Sequence, residues 1–266
     1  MKQKTFLDYL YYKLIRFNFF YKITAKIKLL KQAKQNSSNF SLKYKIEDLN
    51  KAFYEKIRHG KNTELEHQIG RLTNFKEIIK DCSKLNGDIL EFGTWKGFSL
   101  LWIAYLLERE AIFDRKIIGI DGFIGLPEDD GPFKKGAFSD TSLAECRHNL
   151  IDNPILYEET CKNIFIEKFL FKQKKEILSF FSQIGTQKFC FIHIDSDIGQ
   201  STREIFSIIQ DENMISDKAY LLFDDYGWDT RLAPAVESIF EKMNANWKIS
   251  VHSSTRYTKN FLLERR

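Results

Sequence analysis

Proline and glycine are scarce, four and 13 in 266 residues, beside 24 phenylalanines. With its many Lys, Ile and Asn, the chain has the look of an AT-rich genome, a bias that says little about function. The four cysteines, Cys82, Cys146, Cys161 and Cys190, include no C-x-x-C pair. That spacing argues against a zinc knuckle or a secreted disulfide framework and suits a reducing cytoplasm. Long hydrophobic runs are missing too: the stretch from Phe98 to Leu107 is far shorter than the ~20 residues a membrane span needs. The N-terminus interrupts its apolar residues with Asp8, Lys13 and Arg16, unlike a signal peptide. No internal repeat or low-complexity tract is visible. With 43% hydrophobic and 29% charged residues, the chain can bury one substantial core with an appendage.

The net charge of +5 sits at one end. Residues 1–35 hold nine Lys or Arg against Asp8 alone, a local +8, which leaves the other 231 residues at −3. Phe6, Tyr9, Leu10, Phe17, Phe20, Tyr21, Ile27 and Leu30 interleave with these cations, as in amphipathic helices able to touch an anionic membrane surface peripherally. The more ordinary use of such a face is packing on its own domain or on a second copy in a homo-oligomer. No nucleic-acid partner is expected, since the remainder is acidic and has no recognition motif. The polar stretch 35–41 reads as a linker, and residues 1–60 as a helical arm ahead of a domain over 61–266.

From Thr63 to Cys82, apolar residues at Leu65, Ile69, Leu72, Phe75, Ile78 and Ile79 predict an amphipathic helix. Short apolar runs then alternate with helical segments. Strands are expected at 88–92, 116–121, 163–166, 189–195 and 219–225, and helices at 98–110, 142–150, 172–183, 202–210 and 233–243. A closing hairpin is expected from 247–252 and 259–264. Strands apolar throughout and alternating with helices imply an α/β fold, a doubly wound, mostly parallel sheet. Ligands of such sheets bind beyond the carboxyl ends of the strands, and that is where Glu91, Asp121, Asp195, Asp224 and Asp225 fall.

Glu91-Phe92-Gly93-Thr94-Trp95-Lys96-Gly97 puts two glycines at a strand-to-helix turn, where backbone can approach a ligand closely. Alone this is a weak signal, and a tight turn without ligand uses the same residues. Asp121, 28 residues after Gly93, ends the next strand where an acid reaches the hydroxyls of an adenosine ribose. Its ordinary alternative is a turn or cap residue. Asp195-Ser196-Asp197 and Asp224-Asp225 end two buried strands. Clustered carboxylates repel and are costly to desolvate, so one reading is that a cation offsets their charge, an oxygen-preferring one such as Mg²⁺ or Mn²⁺. Solvated acids capping the next helices are the alternative. His193 shares a strand face with Asp195 and reads first as a core histidine with a satisfied hydrogen bond. His252 is a looser candidate for proton transfer, and Trp95 and Trp228 are either pocket walls or packing.

Together these motifs resemble the macrocin O-methyltransferase (TylF-like) family of metal-dependent class I methyltransferases. The matching residues are Gly70-Arg71-Leu72 with Asn74, Gly87-Asp88 with Glu91-x-Gly93-x-Trp95-x-Gly97, and Asp121-x-Phe123-x-Gly125-Leu126-Pro127. Asp195-x-Asp197 with Ser201-Thr202, Asp224-Asp225-Tyr226-Gly227 and Ala235-Val236 complete the set, over about residues 63 to 243. The resemblance implies a Rossmann-like fold and S-adenosylmethionine bound by Glu91, Gly93, Thr94, Gly97, Ser99, Asp121, Gly122 and Phe123. It further implies metal ligation by Asp195, Asp224 and Asp225 and makes Asp197 the candidate general base, with His252 as the other catalytic candidate. The family commonly has Tyr-Glu where this chain has Gly199-Gln200, which bears on substrate identity.

The expected activity is methylation of a hydroxyl on a small-molecule sugar or nucleotide-sugar, a glycan precursor for bacterial surface (capsule) polysaccharide, carried out in the cytoplasm. A natural-product sugar is the alternative acceptor. A glycosyltransferase holding Mn²⁺ through Asp195-x-Asp197 is an alternative of another class, although it has no need of Glu91-x-Gly93 or Asp121.

Overall fold

The computed structural model describes residues 62–152, 155–210 and 212–266; the arm expected over 1–60 lies outside them. A helix α1 (Asn62–Cys82) leads into strand β1 (Asp88–Phe92), helix α2 (Phe98–Arg109) and strand β2 (Ile117–Asp121). Helices α3 (Leu143–Ile151) and α4 (Glu158–Lys162) precede β3 (Ile164–Lys168), α5 (Lys174–Gln183) and β4 (Phe189–Ile194). The chain continues through α6 (Gly199–Ile209), β5 (Ile215–Phe223), α7 (Leu232–Met243), β6 (Trp247–Ser254) and β7 (Lys259–Arg265).

All seven strands form one sheet in the order β3-β2-β1-β4-β5-β7-β6. The first five are parallel, and β7 inserts antiparallel between β5 and β6. Strand order reverses between β1 and β4, so their carboxyl ends flank the crevice where such sheets bind ligands.

Alternation within the strands feeds two cores. Leu90, Phe92, Ile192 and Ile194 face α5, α6 and α7 and pack with Phe181, Phe206 and Val236. On the other face Ile89, Ile117 and Leu222 meet Phe75, Ile78 and Ile79 of α1 and Ile103 and Leu107 of α2. A register irregularity between Phe189 and Phe191 interrupts β4. Cys190 and Phe191 consequently both pack on the α1 side. The extra residue sets Phe191, and with it the alternate residues His193 and Asp195, toward α1.

Within the described residues the expected elements form, with four differences. Helix α6 begins at Gly199, three residues early, and β5 at Ile215, four residues early. Helix α4, a single turn, was not expected. The largest difference is the buried face of α1. Ile69, in the expected apolar stripe, is 56% exposed. From His67 to Asn74 the helix buries His67, Arg71 and Asn74 instead, and from Phe75 on it buries Phe75, Ile78, Ile79 and Cys82.

Candidate active site

Burial of polar residues on α1 is explained by what they face. In register on the sheet, Glu91 of β1 lies beside His193 of β4, which lies beside Leu222 of β5; Asp224 follows two residues later on the same side. The Arg71 guanidinium donates through one nitrogen to Asp224 Oδ2 at 2.8 Å and to Asp195 Oδ2 at 3.2 Å. His67 Nε2 lies 3.1 Å from Asp224 Oδ2 and 3.1 Å from the Asp224 carbonyl oxygen. Asn74 donates to Thr258 Oγ1 at 2.9 Å, clasping α1 to the turn between β6 and β7. A cation-bearing helix thus lies over acids at the strand ends, as the desolvation cost of those acids requires.

The three expected metal ligands are shared out among overlapping groups of donor atoms, no one of which holds all three. Three overlapping groups of close donor atoms exist among the described residues: His67 with Asp224 and Asp225, His193 with Asp195 and Asp224, and Asp195 with Asp197 and Asp225. Asp195, Asp224 and Asp225 each belong to two of the three, and each pair of them shares one group. Asp195 is the member open to solvent, its side chain 22% exposed, while Asp224 and Asp225 are buried. Even with both histidines counted as cations, Arg71, His67 and His193 face five carboxylates, those of Glu91, Asp195, Asp197, Asp224 and Asp225. The formal remainder of −2, with every carboxyl counted as ionised, equals in magnitude the charge of one divalent cation. Orphaned atoms agree: Asp224 Oδ1, Asp225 Oδ2 and His193 Nε2 are buried without a hydrogen-bond partner. The donor set fits a divalent ion.

Protonation equilibria follow the same charges. Burial, then the neighbouring charges of Asp224 and Asp225, push the Asp195 carboxyl well above the usual range. Asp197 rises through burial and Asp195, and Asp225 through burial and Asp197. Burial would also raise Asp224, but Arg71 and His67 outweigh it and hold that carboxyl well below the usual range. For His67, burial is overcome by the charge and hydrogen bond of Asp224, and the imidazole is pushed up to about 9. His193 is lifted against burial to about 10 by Asp224 and Glu91. Asp197 stands in the left-handed region, φ 58°, a strained backbone of the kind that collects at functional sites.

The turn after β1 abuts this cluster. A Cβ on Gly93 (φ +90°) would lie 1.7 Å from the Asp195 carbonyl oxygen, and Asp195 N donates to Phe92 O at 2.9 Å. Only glycine lets the two strand ends approach this closely. Gly97 takes φ +85°, the left-handed region that favours glycine, with Leu150 of α3 2.6 Å from its ideal Cβ. Asp121 accepts backbone N–H bonds from Trp95 at 2.8 Å and Phe123 at 2.6 Å. Its role as turn residue is therefore realised, and those bonds oppose the upward push that burial gives its pKa. Each oxygen keeps a further lone pair for a ligand hydroxyl. Thr94 Oγ1 and Glu91 Oε1 are buried without partners beside the turn, while Ser99 is buried and Gly122 half-buried. Glu91 itself is fully buried, with Oε2 2.8 Å from His193 Nδ1.

Residues 122–142 form a strap across the strand ends. Asp130 fastens it, accepting 3.0 Å hydrogen bonds from Gly199 N at the start of α6 and Arg231 N at the cap of α7. A side chain at Gly199 would meet the Arg231 carbonyl at 2.5 Å, a physical reason for the departure from tyrosine there. Rings line the strap's edge: Trp95 meets Phe138 at 5.8 Å, Phe138 meets Phe133 at 6.5 Å, and Phe133 meets Trp228 at 5.9 Å. Trp228 stacks on Tyr257 at 4.7 Å, and Tyr257 reaches His67 at 5.5 Å. Both tryptophans therefore belong to an arc running from the turn to α1.

His252 is not brought to the cluster. It stands exposed on β6, two strands from β5, with its ring edge-on to Tyr220 at 5.0 Å. Sequence reasoning missed His67 and Asp130 and gave Arg71 no role. His67, Arg71 and Asn74 lie at steps of four and three on one helix face, the available signal, and it reads equally as a solvated stripe.

The family model described as Macrocin-O-methyltransferase (TylF) matches residues 29–250, so the matched span starts within the stretch read as the arm. A curated relative from Streptomyces niveus, demethyldecarbamoylnovobiocin O-methyltransferase, is 23% identical over 188 residues, 68% of each chain. Among solved structures, the O-methyltransferase NovP aligns with TM-score 0.59 and 19% identity over 74% of this chain and 80% of its own. The calicheamicin methyltransferase CalS11 aligns with TM-score 0.59 and 14% identity over 97% and 93%. The family match decides against the glycosyltransferase alternative. The chain belongs to the macrocin-O-methyltransferase (TylF) family and is an S-adenosylmethionine-dependent O-methyltransferase.

Proposed function

We propose that the chain methylates a sugar hydroxyl, on a nucleotide-activated sugar or glycan precursor, and needs a divalent metal to do so. The observation that carries this reading is the contact between Gly93 and Asp195, which sets the methyl-donor turn directly against the acid cluster. Asp195, Asp224 and Asp225 would hold Mg²⁺ or Mn²⁺, which supplies a Lewis acid that lowers the pKa of a nearby hydroxyl. Asp197, which shares a donor group with Asp195 and Asp225, takes the proton. Asp121 and the turn residues Gly93, Thr94 and Gly97 hold the nucleoside and methionine parts of S-adenosylmethionine. Most of the rate then comes from positioning an in-line methyl transfer. The arc of rings from Trp95 to Tyr257 supplies the apolar wall typical of small-molecule sites.

A natural-product sugar is the second reading, favoured by the names of the relatives, which concern novobiocin and calicheamicin. Incubating the protein with S-adenosylmethionine, Mn²⁺ or Mg²⁺ and panels of nucleotide sugars and glycosylated natural products, followed by mass spectrometry, tests both. Gain of one methyl group on a sugar, abolished by excess chelator, is the expected result. Methylation that persists at full rate in chelator refutes the metal requirement; methylation only of non-sugar acceptors refutes the substrate class.

A further inference from the structure

We infer that His193 is a metal ligand, and that Glu91, His193 and the ion form a carboxylate–histidine–metal relay at the floor of the site. The inference rests on the proposed metal dependence and adds a nitrogen donor to its three aspartates.

The two nitrogens of His193 have different surroundings. Nδ1 is 2.8 Å from Glu91 Oε2, and both side chains are wholly shielded from solvent. Nε2 points the other way and has no hydrogen-bond partner. Across from it, 3.8 Å away, is Asp224 Oδ1, which is also buried without a partner. Such a separation is too long for a hydrogen bond. It suits two ligands of one ion, which lie ~3.0–4.2 Å apart when each bond is ~2.1 Å. Asp195 supplies the third donor atom of this group, all within 4.8 Å of one another. With Nδ1–H given to Glu91, a neutral His193 turns the Nε2 lone pair toward a buried carboxylate oxygen; without a proton or a cation between them that pairing is costly, and a bound metal ion takes the place of the proton that the imidazolium would otherwise carry there.

Glu91 fits the same picture. A metal-bound histidine almost always donates its other N–H to a carboxylate, which fixes the ring and strengthens its lone pair. Parallel register places Glu91 beside His193, and the Phe75 ring, edge-on at 4.9 Å, holds the imidazole plane. In this role Glu91 positions the ligand and does not touch the methyl donor. A mixed nitrogen and oxygen donor set favours Mn²⁺ and Co²⁺ over Mg²⁺.

Full-length protein is titrated with Mn²⁺ and, separately, Mg²⁺ by calorimetry, and the Mn²⁺ form is examined by electron spin-echo envelope modulation for directly bound ¹⁴N. Wild type should show one imidazole coupling and bind Mn²⁺ at least ~10-fold more tightly than Mg²⁺. The coupling should disappear in His193→Gln and persist in His67→Gln. Glu91→Gln, whose amide oxygen still accepts the Nδ1 proton, should retain the coupling while Mn²⁺ affinity falls ~10- to 100-fold. Circular dichroism verifies folding, and should His193→Gln fail to fold, wild type, His67→Gln and Glu91→Gln decide. Mn²⁺ binding without ¹⁴N coupling, or coupling lost in His67→Gln alone, overturns the ligand assignment and leaves the metal reading standing. No Mn²⁺ or Mg²⁺ binding to wild type overturns both.

Discussion

Replacing Asp130 should unfasten the strap over the site, and the cost follows from its contacts. The residue is 5% exposed and bridges three parts of the chain: the strap, the start of α6 and the cap of α7. Each of its two backbone hydrogen bonds, 3.0 Å long, runs to an ionised acceptor, a kind worth ~1.5–3 kcal/mol. Its ion pair with Arg231 at 3.2 Å involves a guanidinium 53% exposed, so solvent screening limits it to under ~1 kcal/mol. Water reaching the freed N–H groups recovers part of the loss. Asp130→Ala should therefore destabilise by about 2–4 kcal/mol, and for a chain of this size lower Tm by roughly 5–15 °C.

Asp130→Asn keeps one good acceptor and should lose about half as much. The pH dependence has a definite sign. Burial pushes this carboxyl up, but the hydrogen bonds from Gly199 and Arg231 prevail and hold it below its usual 3.8. A depressed carboxylate pKa contributes stability above the unfolded value, lost as pH falls through the folded one. The gap between wild type and Asp130→Ala should hold constant from neutral pH down to about 4 and shrink below it. Urea denaturation followed by circular dichroism measures the gap. An Asp130→Ala protein within ~0.5 kcal/mol of wild type, or a gap that widens in acid, would refute the reasoning.

Other substitutions probe the turn and the cluster. Gly93→Ala forces a Cβ to 1.7 Å from the Asp195 carbonyl at φ +90°; it should cost more than ~3 kcal/mol by chemical denaturation, and a near-native stability would show that the strand ends are not so closely fitted. Asp121→Asn should weaken S-adenosylhomocysteine binding by ~10-fold or more in calorimetry; unchanged affinity would confine Asp121 to its turn role. Asp195→Asn should abolish turnover while leaving S-adenosylhomocysteine affinity within ~3-fold of wild type, and full turnover would remove Asp195 from the metal set. Arg71→Gln leaves Asp224 and Asp195 without their guanidinium; it should lose ~3–5 kcal/mol in chelator and regain a large part in Mn²⁺, and equal loss in both buffers would separate Arg71 from the metal centre.

Parallel strands covered on both faces are apolar along their whole length, so runs such as Phe189–Ile194 announce themselves and fix the helices between them. Carboxylates at strand ends were legible for the complementary reason: Asp195, Asp224 and Asp225 break otherwise apolar runs, where nothing in a strand's own needs calls for charge. His252 misled because spacing along β6 does not tell which face an outer strand turns to solvent, and this residue is exposed. The short turn α4 had too little apolar pattern to show.

Helix α1 was the hardest element to read, and the reason is physical. Amphipathic periodicity assumes that the apolar stripe is the buried one, which holds for Phe75, Ile78 and Ile79 and fails one turn earlier, where Ile69 is exposed and Arg71 buried. Burial of the polar stripe is decided by pairing with Asp224, 157 residues from His67 and 153 from Arg71, and with Asp195, 124 residues from Arg71. No window along the chain contains both members of any of these pairs. The acids state only that a positive charge must come from somewhere; the topology, by laying α1 over the ends of β4 and β5, decides that part of it is supplied from the protein, and the remaining formal −2 is what the proposed metal would offset.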